Sequence, residues 1–241
     1  MPTLHSRILV PALLAALLAA GAAQAQEAAR QLAPGFTARA AASKLVVIPA
    51  DMELYSISAG GVVEPRQDWT AAAQKNFSLA LAKQRGRLGA ATSELSAAQL
   101  DEFGEIAALH RAVANAIAIH HHGNLKLPTK AEQLDWSLGE AVRPLKERTG
   151  ADYALFTFLR DSYTSNERKA AMLAMALLGA ISLGGEQVGY ASLVDLNTGQ
   201  VVWHNAVKRM WGDLRDVEPA TETVEAMLKG FPALQGAEVR P

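Results

Sequence analysis

Apolar residues fall along this chain in two distinct rhythms. A run of β-favouring residues, Ala151-Asp-Tyr-Ala-Leu-Phe-Thr-Phe-Leu-Arg160, has no helical spacing and lies between Gly150 and Asp161-Ser162, which predicts a buried strand. Two more β-rich runs lie between Gln187 and Trp203, joined by Asp195-Leu-Asn-Thr-Gly199. Asp and Asn bond their own backbone in turns and Gly199 can take a positive φ, so these runs read as a hairpin closed through a bulge. Lys44-Leu-Val-Val-Ile-Pro49 predicts a further short strand that ends at Pro49, which has no N–H to give a ladder. Asp51 to Pro65, around Gly60-Gly61, suggests a second short hairpin.

Between these runs the period changes to that of a helix. Asp68 is the expected cap of a helix whose stripe is Trp69, Ala73, Phe77, Ala80, Leu81, Gln84 and Leu88. Ser96-Ala-Ala-Gln99 is a capping box leading to Leu100, Phe103, Ala107, His110, Ala114 and Ile117. Thr129-Lys-Ala-Glu132 predicts another, leading to Leu134, Leu138, Ala141, Val142 and Leu145, with a restart at Pro144 and an end at Gly150. Pro219 opens a last helix with Val224, Met227 and Leu228 on its buried face and Gly230 and Pro232 as stops. The order of elements predicts an α/β fold of the α+β kind, a small mixed sheet with a hairpin in the C-terminal half, covered by several helices.

The first residues carry a different signal. Arg7, the apolar run Ile8 to Ala20 and Ala23-Gln-Ala25 form a secretory signal peptide, with cleavage expected after Ala25. The expected organisation is therefore a signal peptide over 1–25, a flexible Ala-rich leader over 26–43, and one α/β domain over 44–241. About 200 residues can build a core without bracing, and the chain has no Cys, so neither a disulfide nor an acylated Cys is available. A periplasmic location follows as the expectation. The formal net charge is −1 with both signs interspersed, which argues against a nucleic-acid partner.

One stretch fits neither rhythm. Ala170 to Gly185 is uncharged and, as a helix, would be about 24 Å long, short of the roughly 30 Å of a bilayer core. It is expected to pack on the sheet. Its Ala, Gly and Ser residues would also suit self-association or membrane contact.

Tests for chemistry are mostly negative. His120-His-His122 cannot converge on one ion from consecutive helical positions, and only His110 and His121 fall near one face as a candidate zinc pair. With no HExxH and no Cys beside it, the run reads as a solvated helix end and no metal site is assigned. Asp195 to Gly199 resembles the start of a calcium loop, but the Gly is one position early and Ala206 stands where the bidentate Glu belongs. The Gly in Gly179-Ala-Ile-Ser182-Leu-Gly184 is displaced from a nucleophile elbow, and neither a phosphate-binding loop nor a dinucleotide fingerprint occurs. No cofactor and no catalytic residue is assigned. Recognition falls to loops at one end of the sheet: Arg160, Asp161 and Tyr163 after one central strand, and Trp211, Asp213 and Arg215 after the hairpin.

The pattern Gly150-Ala-Asp-Tyr-Ala-Leu-Phe156, then an apolar insert, then Ser192-Leu-Val-Asp-Leu-Asn-Thr-Gly-Gln-Val-Val-Trp203, resembles a group of proteobacterial secreted envelope proteins. More distantly it resembles curli-secretion lipoproteins and TolB amino-terminal-like domains. The resemblance implies an α/β envelope domain that binds or assembles with an envelope protein partner, without catalysis. Three functions are therefore in play: a periplasmic binding or assembly module, an oligomeric membrane-associated component using Ala170 to Gly185, and a metal-dependent enzyme.

Overall fold

The computed structural model describes residues 30–165 and 185–236. The expected signal peptide and nearly all of the Ala170 to Gly185 stretch lie outside these residues. Seven strands form one mixed sheet: β1 (Leu45–Val47), β2 (Asp51–Ile57), β3 (Val63–Pro65), β4 (Thr92–Glu94), β5 (Tyr153–Thr164), β6 (Gln187–Asp195) and β7 (Val201–Arg209). The helices among the described residues are α1 (Gln67–Lys83), α2 (Arg85–Leu88), α3 (Ala97–Asp101), α4 (Gly104–Ile117), α5 (Arg143–Thr149) and α6 (Val217–Met227), with a π-helical turn over Ala118–His122.

The sheet is built around β5. On one edge it pairs antiparallel with β6 from Tyr153↔Asp195 to Asp161↔Gln187, and β7 pairs antiparallel beyond β6. On its other edge two strands share the work, both parallel: β1 lies opposite Tyr153–Leu155 and β2 opposite Phe158–Thr164. Between them the N–H of Ile48 still donates to Leu155 O at 2.9 Å, and Pro49, with no N–H, sits at the break. β4 adds parallel to β1 and β3 antiparallel to β2.

Alternation along the strands divides the core in two. One face carries Leu45, Val47, Leu54, Leu155, Leu193 and Trp203 against Phe77 and Leu81 of α1 and Val224 and Met227 of α6. The other carries Val46, Ala154, Phe156, Val194 and Val201 against Phe103, Ile106, Ile117, Leu134, Val142 and Leu145. Each fully buried Leu contributes on the order of 2 kcal/mol by leaving water, so the two layers together supply the driving force expected of a chain without disulfides.

Several expectations need correcting. β5 runs past Asp161-Ser162 to Thr164, because β2 extends the ladder that far, whereas the pairing with β6 ends at Asp161↔Gln187. The N-cap of α1 is Arg66 rather than Asp68, whose carboxylate instead pairs with the Arg66 guanidinium at 2.8 Å. The Ser96 capping box forms, but the helix it opens stops after one turn and restarts at Gly104. Thr129-Lys-Ala-Glu132 does not start a helix: Ala131 and Glu132 take positive φ, and helical structure resumes only at Gly139. Pro144 lies in the first turn of α5 and Gly150 ends it at φ 62°, as the sequence predicts.

The larger correction concerns residues 30–43, expected as part of a flexible leader. Leu32 bridges Trp203 on the outer edge of β7, and Ala33 is buried. Arg39 is wholly buried and donates from Nε to Pro232 O, from Nη1 to Leu88 O and from Nη2 to Arg87 O, at 3.0, 2.7 and 3.1 Å, beneath the Phe231 ring. Those are carbonyls at the end of α2 and in the C-terminal segment, which would otherwise be orphaned. Replacing Arg39 with Met should lower unfolding free energy by about 2–4 kcal/mol, since buried carbonyls lose their donors. A change of less than about 0.5 kcal/mol in the unfolding free energy from urea titration would mark this segment as a passive tail.

Candidate functional site

At the end of the sheet where β5 finishes and β6 begins, a cleft of about 210 Å3 is lined by Asp161, Tyr163, Gln187, Trp211, Asp213 and Arg215, among others. Period-two alternation puts Asp161 and Tyr163 on the same face of β5. The turn after β7, Met210–Asp216, folds back over that face because Gly212 takes φ 107° and Asn76 of α1 donates to Leu214 O and Arg215 O at 3.1 and 2.7 Å.

A chain of hydrogen bonds fixes the floor. Arg209 Nη1 meets Thr223 Oγ1 at 2.9 Å, Thr223 Oγ1 donates to Gln187 Oε1 at 3.1 Å, and Gln187 Nε2 donates to Asp161 Oδ2 at 2.7 Å. The Tyr163 hydroxyl donates to the same Asp161 oxygen at 2.6 Å and accepts from the Leu214 N–H at 2.8 Å. Burial raises the Asp161 carboxyl to about 6, against the pull of the Tyr163 and Gln187 donors. Burial and the Asp161 carboxylate together push the Tyr163 phenol far up, so it stays protonated as the donor.

The walls are aromatic and cationic. Arg215 forms a bidentate pair with Asp213 and stands 4.2 Å from the Trp69 ring and 4.5 Å from the Tyr163 ring. Trp69 meets Tyr163 edge-on at 5.9 Å. Trp211, by contrast, is 69% exposed, with the exposed Met210 before it. Asp161 and Tyr163, by contrast with Trp211, hold one another, and Arg215 is paired with Asp213.

Five of the six loop residues expected from the sequence line this cleft. Arg160 does not. Alternation turns it to the opposite face, where it stacks on Phe158 at 4.3 Å and bonds Asp51 Oδ1 at 2.7 Å. Sequence reasoning missed Gln187, Thr223 and Trp69, which lie far apart in the chain and meet only through β6, α6 and α1.

Of the histidines, His121 departs from expectation and His110 does not. His110 on α4 is buried, stacked on Phe156 with centroids 4.0 Å apart, and His121 is buried on the π-helical turn. His110 lies on the stripe that its helical spacing predicts, whereas His121 is not part of a solvated helix end; among the described residues no group of three His, Cys, Asp or Glu side chains is placed to hold a metal.

The protein is thus an α/β domain with a mixed sheet and a cleft at one sheet end. No protein-family profile matches the chain, and no curated protein matches it. Among solved structures it is similar to the PelC dodecamer from Paraburkholderia phytofirmans, at 15% identity and a TM-score of 0.40 over 85% of this chain and 95% of that one. It is also similar to lipoprotein GNA1162 from Neisseria meningitidis (12%, 0.31, over 78% and 94%) and to the LpoB C-terminal domain from Salmonella enterica (14%, 0.28, over 73% and 87%). All three likenesses are distant.

The Asp161 carboxyl gives a test of the site's electrostatics. Its folded value lies above the unfolded one, so its ionisation costs nothing below about pH 4 and a growing amount as pH rises through 6. Asp161→Asn, which can still accept from Tyr163 and Gln187, should gain on the wild type by up to about 3 kcal/mol between pH 4 and pH 7. Parallel stability curves for the two proteins would rule out this account.

Proposed function

We propose that this chain is a non-catalytic cell-envelope protein of the periplasm that binds or assembles with another envelope protein through the end of its sheet. The observation that carries the reading is the exposed Trp211–Met210 pair standing on a turn whose own polar groups are saturated. A turn held by Asn76, Tyr163 and the Asp213–Arg215 pair presents Trp211 at little entropic cost to binding. The same saturation argues against catalysis there, because each titratable group in the floor is committed to a structural partner.

A second reading, self-association or membrane contact through Ala170 to Gly185, is supported by one fact: Thr164 and Gly185, which lie on either side of residues 166–184 in the sequence, line the same cleft as Trp211. Both readings put the working surface at this end of the molecule.

A photo-crosslinking residue in place of Trp211 should give one discrete adduct in intact cells, absent when the same residue replaces Lys75 on α1. Against the partner so identified, Trp211→Ala should weaken binding at least tenfold with an unchanged far-UV spectrum. Wild-type affinity in that variant would move the contact elsewhere. Light scattering separates the second reading: an oligomer that Leu177→Ser with Leu178→Ser dissociates would support it, and a wild-type monomer indifferent to detergent would end it.

A further inference from the structure

On the face of the sheet opposite the cleft, the π-helical turn lies against β6 and β7 and brings histidines from three elements together. His204 of β7 is wholly buried, and its Nδ1 lies 3.0 Å from Nε2 of His122, which is otherwise exposed on the turn. Tyr190 of β6 stacks on His204 at 5.4 Å and reaches His110 of α4 at 5.9 Å. His121 donates from Nε2 to the backbone carbonyl of Arg30 at 2.8 Å. In return Arg30 Nη2 and Lys126 Nζ both donate to His121 O.

This arrangement secures one edge of the sheet. The carbonyl that His121 holds belongs to Arg30, the first described residue of the segment that closes the outer edge of β7. Ala33 N–H donates to Val202 O at 3.0 Å, His204 N–H donates to Gln31 O at 2.9 Å, and Gln31 Nε2 donates to Asn205 Oδ1 at 2.8 Å. The His122–His204 bond and the His121–Arg30 bond therefore clamp the turn and the segment onto the same strand.

The buried sites where these rings could take another proton are hostile to it. Among the described residues, Nε2 of His110 and Nε2 of His204 are buried with no hydrogen-bond partner, and burial also disfavours the charged form of His121. The His122–His204 bond needs a lone pair on one ring, and two cationic rings would point N–H at N–H. The charged groups facing the cluster add no counter-charge. The segment before β1 supplies Arg30, the loop after the turn supplies Lys126, α4 supplies His110 and the π-helical turn supplies His120 to His122. From the sheet, β6 gives Tyr190 and β7 gives His204. Among the described residues the carboxylate that acts on this cluster is Asp51 on β2, beside Tyr190, and it is already paired with Arg111 and Arg160. Burial accordingly holds His110 down at about 3 and His204 far below the usual imidazole range.

We propose that the histidines of α4, the π-helical turn and β7 form a proton-operated latch, neutral and closed at neutral pH, whose protonation frees residues 30–33 and uncovers the edge of β7. Its sign follows from the depressed affinities. The opened form takes up protons below about pH 6.5 and the closed form does not, so opening is favoured as pH falls from about 6.5 toward 4. Each histidine that gains a proton on opening contributes up to about a tenfold rise in the opening constant per pH unit. An uncovered edge presents free N–H and C=O groups at Val202 and His204, a template for another strand.

Amide hydrogen exchange read by NMR tests this on the whole chain, because the amides of Ala33 and His204 report the closed edge directly. After correction for intrinsic exchange, their protection should fall at least tenfold between pH 7.5 and 5.0, while the amide of Leu155 keeps its protection. His122→Gln, which keeps a neutral hydrogen bond to His204, should move the fall down by about one pH unit. Equal protection at both pH values, or an unchanged midpoint in the variant, would overturn the proposal. Should that variant not fold, nitrogen-15 spectra of the wild-type imidazoles decide the matter. At least two of His110, His121, His122 and His204 must become cationic as the edge opens, and rings that stay neutral through the opening would refute the latch.

Discussion

A twelve-residue strand buried on both edges must find a hydrogen-bond partner for every backbone group, and β5 meets that demand in an unusual way. On the β6 side one strand suffices. On the other side no single strand does, because Pro49 interrupts the chain that would supply it, so β1 and β2 divide the edge and Ile48 bridges the gap. The two outer strands then part company: β4 continues from β1 in parallel and β3 folds back on β2. The layout of helices follows, since each must cover the portion of the sheet its neighbouring strand leaves bare.

The same strand sorts the chemistry. Near Tyr153 to Thr157 both faces are covered, and the side chains are apolar or small. Beyond Phe158 the helices of one face have ended, so even-numbered Phe158 and Arg160 are half open, while Asp161 remains buried under α1 and the turn after β7. A carboxyl in that position needs donors, and Tyr163 and Gln187 supply them from its own strand and from the strand paired with it. The Tyr163 hydroxyl then reaches the Leu214 N–H, which carries the constraint into the turn that bears Trp211. On the other face the burden falls on His204, whose partner comes from an irregular helical turn.

Strands and hairpins were legible wherever local chemistry dictates them: Pro49 as a stop, Gly60-Gly61 as a turn, and Gly199, at φ 74°, as the residue that lets β6 run back into β7. β4 was not, because Thr92-Ser-Glu94 is short and mostly exposed and is a strand only through its pairing with β1. The Thr129 capping pattern failed because Pro128 and a positive φ at Ala131 commit the chain to an irregular path that packs Leu134 and Trp136 beside β7. In the cleft, the cluster of aromatic and charged residues after two strands was readable, but the side of the strand was overlooked at Arg160. Among the histidines, helical spacing already sets His121 on the stripe of His110, Ala114 and Ile117, and reading the whole run as a solvated helix end passed over that. A π turn changes the angle per residue, and it carries His122 to a strand that no spacing rule connects with it.

The divided partner of β5 also bears on how the chain reaches its native state. β6 and β7 are joined by a tight turn and can pair locally within microseconds. Leu45, by contrast, must wait for Tyr153, more than a hundred residues later, so β1 and β2 spend the early life of the chain without their mate. An unbroken apolar strand left waiting in that way would be a ready template for association with other unfinished chains. Pro49 cuts it into Leu45–Ile48 and a second piece that opens on Asp51, each too short or too charged to stack, and so the residue that splits the native ladder also guards the unfinished chain against aggregation.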